Sequence, residues 1–192
     1  MRRIIIPVII LLIVVLGCKA SKQVKGDTAI AKEPAGQQSV TDSHITDFNN
    51  PTSWLLGYFK PERLYQVPYS EWFIKGYDEY KFDPDVVNTL KSTISQDITI
   101  KIVMGTWCPD SRREVPRFMR ILNAIDFPVD RVQFIGVDNA KKSPVENYES
   151  LDIIRVPTFI IYKNNIEKGR IIENPTTSLE QDMVNILTRN EK

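Results

Sequence analysis

The chain of 192 residues holds only two cysteines, Cys18 and Cys108, and one histidine, His44. Each scarcity excludes a chemistry. A cysteine hydrolase needs a histidine base beside its nucleophile, and His44 lies in a polar stretch far along the chain from Cys108. Zinc takes about four N, S or O ligands, and no cluster of Cys and His exists to supply them. Glycine is sparse at 8 residues, and none of them forms a phosphate-cradling loop. A dominant charge is also lacking. Lys and Arg number 25 against 24 Asp and Glu, a net charge of +1, so nothing points to a nucleic-acid partner. No internal repeat is visible, and no cofactor is expected.

The N-terminus carries a targeting signature. Arg2 and Arg3 precede an apolar run of 13 residues, Ile4 to Leu16, which is interrupted by Pro7. A spanning helix needs about 20 apolar residues, so this run is too short. It ends in Val15-Leu16-Gly17-Cys18, which resembles the bacterial lipobox. That resemblance implies cleavage before Cys18, lipid on its sulfur, and a protein held at a membrane in the cell envelope outside the cytoplasm. The alternative is a plain signal peptide or a weak anchor. With Cys18 lipidated, Cys108 has no partner within the chain and no internal disulfide forms.

Four regions are expected: a signal segment over 1–17, a disordered polar tether over 18–50, a helical extension over 51–83 and an α/β domain over 84–192. The tether would hold the domain clear of the lipid, reaching roughly 30 Å as a flexible coil. Aromatic density then jumps, with 10 of the 18 aromatics between Trp54 and Phe82. Tyr69, Trp72, Phe73, Tyr77 and Tyr80 recur at helical spacing, so the pattern predicts one aromatic helix face. That face either packs on the domain or lines a groove for a polypeptide.

Asp83-Pro84-Asp85 starts a predicted helix carrying Val86, Val87, Leu90 and Ile94. Ile98 to Met104 reads as a buried strand that turns at Gly105-Thr106 into a helix bearing Val115, Phe118, Met119, Leu122 and Ile125. Val132 to Val137 reads as a parallel strand, and a short helix is expected over 144–151. Thr158 to Tyr162 and Glu167 to Ile172 form a predicted hairpin across Asn164-Asn165. Ser178 and Gln181 are spaced as a capping box before a last helix with Leu179, Met183, Ile186 and Leu187 on one face.

Trp107-Cys108-Pro109-Asp110-Ser111 stands at the strand-to-helix junction. Pro109 suits the first helical position, because its missing N–H would be unpaired there anyway. The free N–H groups of that helix end favour a thiolate at Cys108. The stretch resembles the Trp-Cys-x-x-Cys motif of the thioredoxin family, with Ser111 in place of the second cysteine. Two more matches follow in order: Pro116, like the proline that kinks the family's active-site helix, and Arg155 to Asn165, like its cis-proline loop, strand and hairpin turn.

The resemblance implies a thioredoxin-like fold, a central mixed β-sheet flanked by helices, here preceded by the aromatic-rich helical extension. It implies that Cys108 lies at an exposed helix end as nucleophile and that Val156 and a cis Pro157 hold an extended substrate chain beside it. Trp107 and Pro109 would flank the sulfur. Ser111 could donate a hydrogen bond to the thiolate but could not resolve a mixed disulfide. Release would need an outside thiol, from the substrate or a donor protein, which favours isomerisation or monothiol exchange. Arg112 and Arg113 add positive charge and Asp110 opposes it; the bland reading is a solvated face. The acid that thioredoxins carry six residues before the first cysteine is Ile102 here, in keeping with the missing resolving cysteine. The competing reading is that Ser111 marks lost chemistry, with the fold kept as a redox-silent module that binds a polypeptide.

Overall fold

Three strands carry apolar side chains on both faces, and they form the centre of a five-stranded sheet. In a computed structural model describing residues 46–189, these are β2 (Ile98–Met104), β3 (Val132–Gly136) and β4 (Thr158–Lys163). The expectations for the signal segment, Cys18, His44 and most of the tether lie outside the described residues. Strand β2 runs parallel to β3 and antiparallel to β4. One edge is β5 (Ile166–Ile172), joined to β4 through Asn164 and Asn165, whose φ of 51° and 63° are those of the expected tight turn. The other edge is β1 (Gly57–Phe59), antiparallel to β3, giving the order β1-β3-β2-β4-β5. A mixed sheet with helices is the α/β architecture the sequence implied.

Strand β1 was not legible in the sequence. It is only three residues long and opens on Gly57, whose φ is 76°, with no alternating run to mark it. It is seated by close backbone approach: a Cβ on Gly136 would lie 2.1 Å from the Leu55 carbonyl oxygen.

Side chains alternate across a strand, and the burial pattern separates two apolar clusters accordingly. Ile98, Ile100, Ile102, Met104, Val132, Phe134, Phe159 and Ile161 join one. Val103, Ile135, Val137 and Ile160 join the other, on the opposite face.

Four helices supply the first cluster: α1 (Ser70–Glu79), α2 (Pro84–Thr93), α3 (Pro109–Ala124) and α4 (Leu179–Thr188). Their starts follow the sequence signals. Asp83 accepts from the N–H groups of Asp85 and Val86, and Ser178 Oγ accepts from the Gln181 N–H. The capping box is only half made, since the Gln181 amide donates instead to Asn185 Oδ1 at 2.9 Å. The aromatic face of α1 packs on the domain, with Tyr69 and Phe73 buried and Trp72, Tyr77 and Tyr80 against the core. Gly76 permits the close crossing of α1 over α3, because a Cβ there would stand 2.7 Å from the Pro116 ring.

The second face is covered without a full helix. The helix expected over 144–151 is reduced to a 3₁₀ turn, Tyr148–Leu151. Asn147 and Asp152, at φ 58° and 48°, are left-handed at its two ends and stop it from growing.

Candidate active site

Cys108 stands at the point where β2 has left the sheet and α3 begins. It is the N-cap residue of α3, with Pro109 at the first helical position as expected. Its backbone N–H donates to the Gly105 carbonyl at 3.0 Å, which closes the turn. Opposite lies the Val156–Pro157 peptide, which is cis, as the resemblance implied. The thiol donates to the Val156 carbonyl oxygen, with Sγ and O 3.2 Å apart. A carbonyl oxygen only accepts, so this contact belongs to the protonated sulfur.

The sulfur is not exposed as expected. Cys108 is 7% accessible and belongs to the second apolar cluster with Val103, Val137, Tyr148 and Val156. The cause is the cover: Trp107, Val145, Leu151 and Ile153 pack around that cluster. Trp107 is anchored by its indole N–H, which donates to the Val137 carbonyl at 3.0 Å. Its ring lies over Gly105, where a Cβ would come within 2.5 Å of the indole.

Ser111 is fully buried, and its hydroxyl oxygen accepts the Gly105 N–H at 3.3 Å. That bond ties the helix to the turn instead of reaching the sulfur. The flanking charges pair among themselves. Arg113 bridges Asp110 and Glu114, each at 2.6 Å, and also donates to Asn174. Its guanidinium is held protonated more firmly than usual, first by the hydrogen bond to Glu114 and then by Asp110. Arg112 lies over the Phe48 ring at 4.7 Å. Of the residues the sequence pointed to, Trp107, Cys108 and Val156 meet in one apolar cluster. Asp110, Arg112 and Arg113 have partners other than the sulfur.

Several residues at the site escaped the sequence reading. Glu114 is buried between Arg113 and Arg117, which the i,i+3 spacing of Glu114 and Arg117 could have signalled. Trp54 packs on Trp107 with ring centroids 6.2 Å apart. The Thr106 hydroxyl donates to the Ser53 carbonyl and accepts from the Leu55 N–H, each at 3.3 Å. Nothing in the sequence links residues about fifty positions apart. Tyr148, 4% exposed, donates to the Lys141 carbonyl at 3.0 Å and roofs the same cluster.

Among the described residues no group of His, Cys, Asp and Glu is arranged to hold a metal, and no helix is long and apolar enough to cross a membrane.

No curated protein matches the sequence. Among solved structures, the 1.5 Å crystal structure of a protein of unknown function from Pseudomonas aeruginosa is similar at 11% identity and a TM-score of 0.48, covering 64% of this chain and 85% of that one. A family model described as thioredoxin matches residues 64–186. That match takes in β2, the Cys108 turn, the cis Pro157 and the β4–β5 hairpin, and the chain belongs to the thioredoxin family.

Proposed function

We propose that this protein carries out thiol–disulfide exchange on exported polypeptides through Cys108, while lipid on Cys18 holds it to a membrane in the bacterial cell envelope. The observation that supports the chemistry is the pairing of Cys108, at the start of α3, with the cis Val156–Pro157 peptide 3.2 Å away. The Cys108 thiolate attacks one sulfur of a substrate disulfide. A Cys108–substrate S–S bond forms, the substrate bond breaks, and the leaving sulfur takes up the proton that Cys108 gave up. Ser111 cannot complete the cycle. Thiols other than Cys108 must then open the mixed disulfide. One of the substrate's own can attack the substrate sulfur, form a new substrate disulfide and free Cys108, giving net isomerisation. Alternatively, the two thiols of an external dithiol donor act in turn, the first attacking Cys108 Sγ and releasing the reduced substrate, the second freeing Cys108 as the donor closes to a disulfide. The arrangement favours monothiol reductase or isomerase chemistry.

A second reading has its own support. Cys108 is nearly enclosed and Ser111 is tied to the turn, as suits a redox-inactive module that holds a polypeptide in the same groove.

The deciding experiment uses the full chain with Cys18→Ser, so that Cys108 is the sole thiol. It is mixed with scrambled, disulfide-bonded ribonuclease and reduced glutathione. Recovery of native ribonuclease should exceed that with glutathione alone, and Cys108→Ala should bring it to that background while the fold, read by circular dichroism, stays intact. Equal recovery with Cys108→Ala would remove the exchange reading and leave the binding module.

A further inference from the structure

The segment from Thr46 to Leu56 touches the chain on both sides of Cys108. Before the cysteine, Thr106 is bonded to Ser53 and Leu55, and Trp54 packs on Trp107. After it, Arg112 lies over Phe48. The segment is itself fastened. The Trp54 indole N–H donates to the Phe48 carbonyl and the Tyr69 hydroxyl donates to the Ser53 carbonyl, both at 2.8 Å. Tyr69 is buried in the main core. The strap therefore links a rigid helical layer to the two residues that precede the sulfur.

We propose that this strap is an access gate: by holding Thr106 and Trp107 in place it keeps the Cys108 sulfur enclosed, and its release exposes the thiol. Trp54 and Tyr69 are then positioning residues that act through Trp107 and Thr106. A buried sulfur with its proton engaged by Val156 cannot approach a substrate disulfide. The turn or its cover must open first, and the rate at which an enclosed group reacts follows the population of the opened state. Trp107 is held to Val137 by its indole N–H, but the ties between the strap and the Cys108 turn are few and individually weak. They are one aromatic contact, two hydrogen bonds at 3.3 Å and one cation–π pair, in an arrangement suited to local opening without unfolding the sheet.

The biological use of the gate rests on the exchange reading, but its test does not. The full chain with Cys18→Ser is treated with iodoacetamide, and alkylation of Cys108 is followed by mass spectrometry well below the unfolding midpoint of each variant. Trp54→Ala should raise the rate roughly fivefold, with Trp54→Phe near the wild-type rate. Tyr69→Phe keeps the ring and removes only the bond to Ser53. It should raise the rate roughly threefold, and it decides the matter if Trp54→Ala does not fold. Ile186→Val, in the opposite cluster, lowers global stability and should leave the rate unchanged, which separates local from global opening. An unchanged or slower rate in Tyr69→Phe, or an equal rise in Ile186→Val, overturns the gate. A faster rate in a chain that exchanges no disulfides would keep the gate and remove the exchange reading.

Discussion

On one face of the sheet, four helices bring Phe73, Leu90, Phe118 and Met183 down on Ile100, Phe134 and Phe159. On the other, Trp107 and the irregular chain around Tyr148 and Ile153 cover Val103, Ile135 and Ile160. Hydrogen-bonded helices close the first face with regular, repeating contacts. The second face is closed by single side chains, of which Trp107 and Tyr148 are each fixed by one hydrogen bond. Cys108 belongs to the second. A reactive sulfur must be reachable, and local opening is least costly where few regular elements must move.

The contrast can be broken first by truncating one residue on each face. Phe118 and Phe159 are both fully buried and stack at 4.2 Å between centroids. Phe118→Ala should cost about 4 kcal/mol of stability in denaturant unfolding, because the sheet beneath and the helices packed on it hold the cavity open. Ile160 is as deeply buried on the other face. Ile160→Ala should cost about 2 kcal/mol, the low end for such truncations, since an irregular cover can collapse into the space. Equal losses would mean that the second face is as firmly closed as the first.

The next effect is smaller and confined to the site. In Gly105→Ala the new methyl group would meet the Trp107 indole at 2.5 Å. All three atoms it would crowd belong to the indole ring, so the indole must leave its bond to Val137. The expected loss is about 1–3 kcal/mol, with red-shifted tryptophan fluorescence as that ring meets water. Unchanged emission would show that Trp107 can be reseated and is not fixed by this turn.

The same contrast explains what was legible in the sequence. The helix face was readable because its residues repeat: Val86, Leu90, Phe118, Leu122 and Met183 follow helical spacing, and Asp83 and Ser178 announce helix starts. The central strands were readable as continuous apolar runs. The position of Cys108 and the cis Pro157 followed from resemblance to the family. The cover of the second face obeys no period. Pro144 to Leu151 has helical composition, yet the left-handed Asn147 and Asp152 interrupt it. Contacts of Trp54, Ser53 and Leu55 with the Cys108 turn, and of Tyr69 with Ser53, join distant residues through space, and such pairings leave no local trace. The enclosure of the sulfur follows from those contacts, and for that reason an exposed sulfur was the natural expectation.

Tyr148 gives the finest test, because it pins the irregular cover through one hydroxyl. Its O–H donates to the Lys141 carbonyl at 3.0 Å, and burial, followed by the negative charges of Asp138 and Glu149, pushes its pKa up to about 12. An unfolded tyrosine titrates near 10. The folded value is the higher one, so the contribution of the neutral hydroxyl is fully present below about pH 10 and is lost as pH rises through about 12. Tyr148→Phe should cost about 1 kcal/mol at neutral pH, the worth of one hydrogen bond, and should lose less stability than wild type between pH 10 and 12. Tyr80, on the helix side, is also shifted upward by burial and by its bond to Glu180, but it is present in both proteins, so their difference isolates Tyr148. Denaturant midpoints at pH 8 and pH 11 decide the matter. Parallel alkaline losses would mean that the hydroxyl already meets water in the folded protein, and the cover over Cys108 would then be looser than its packing indicates.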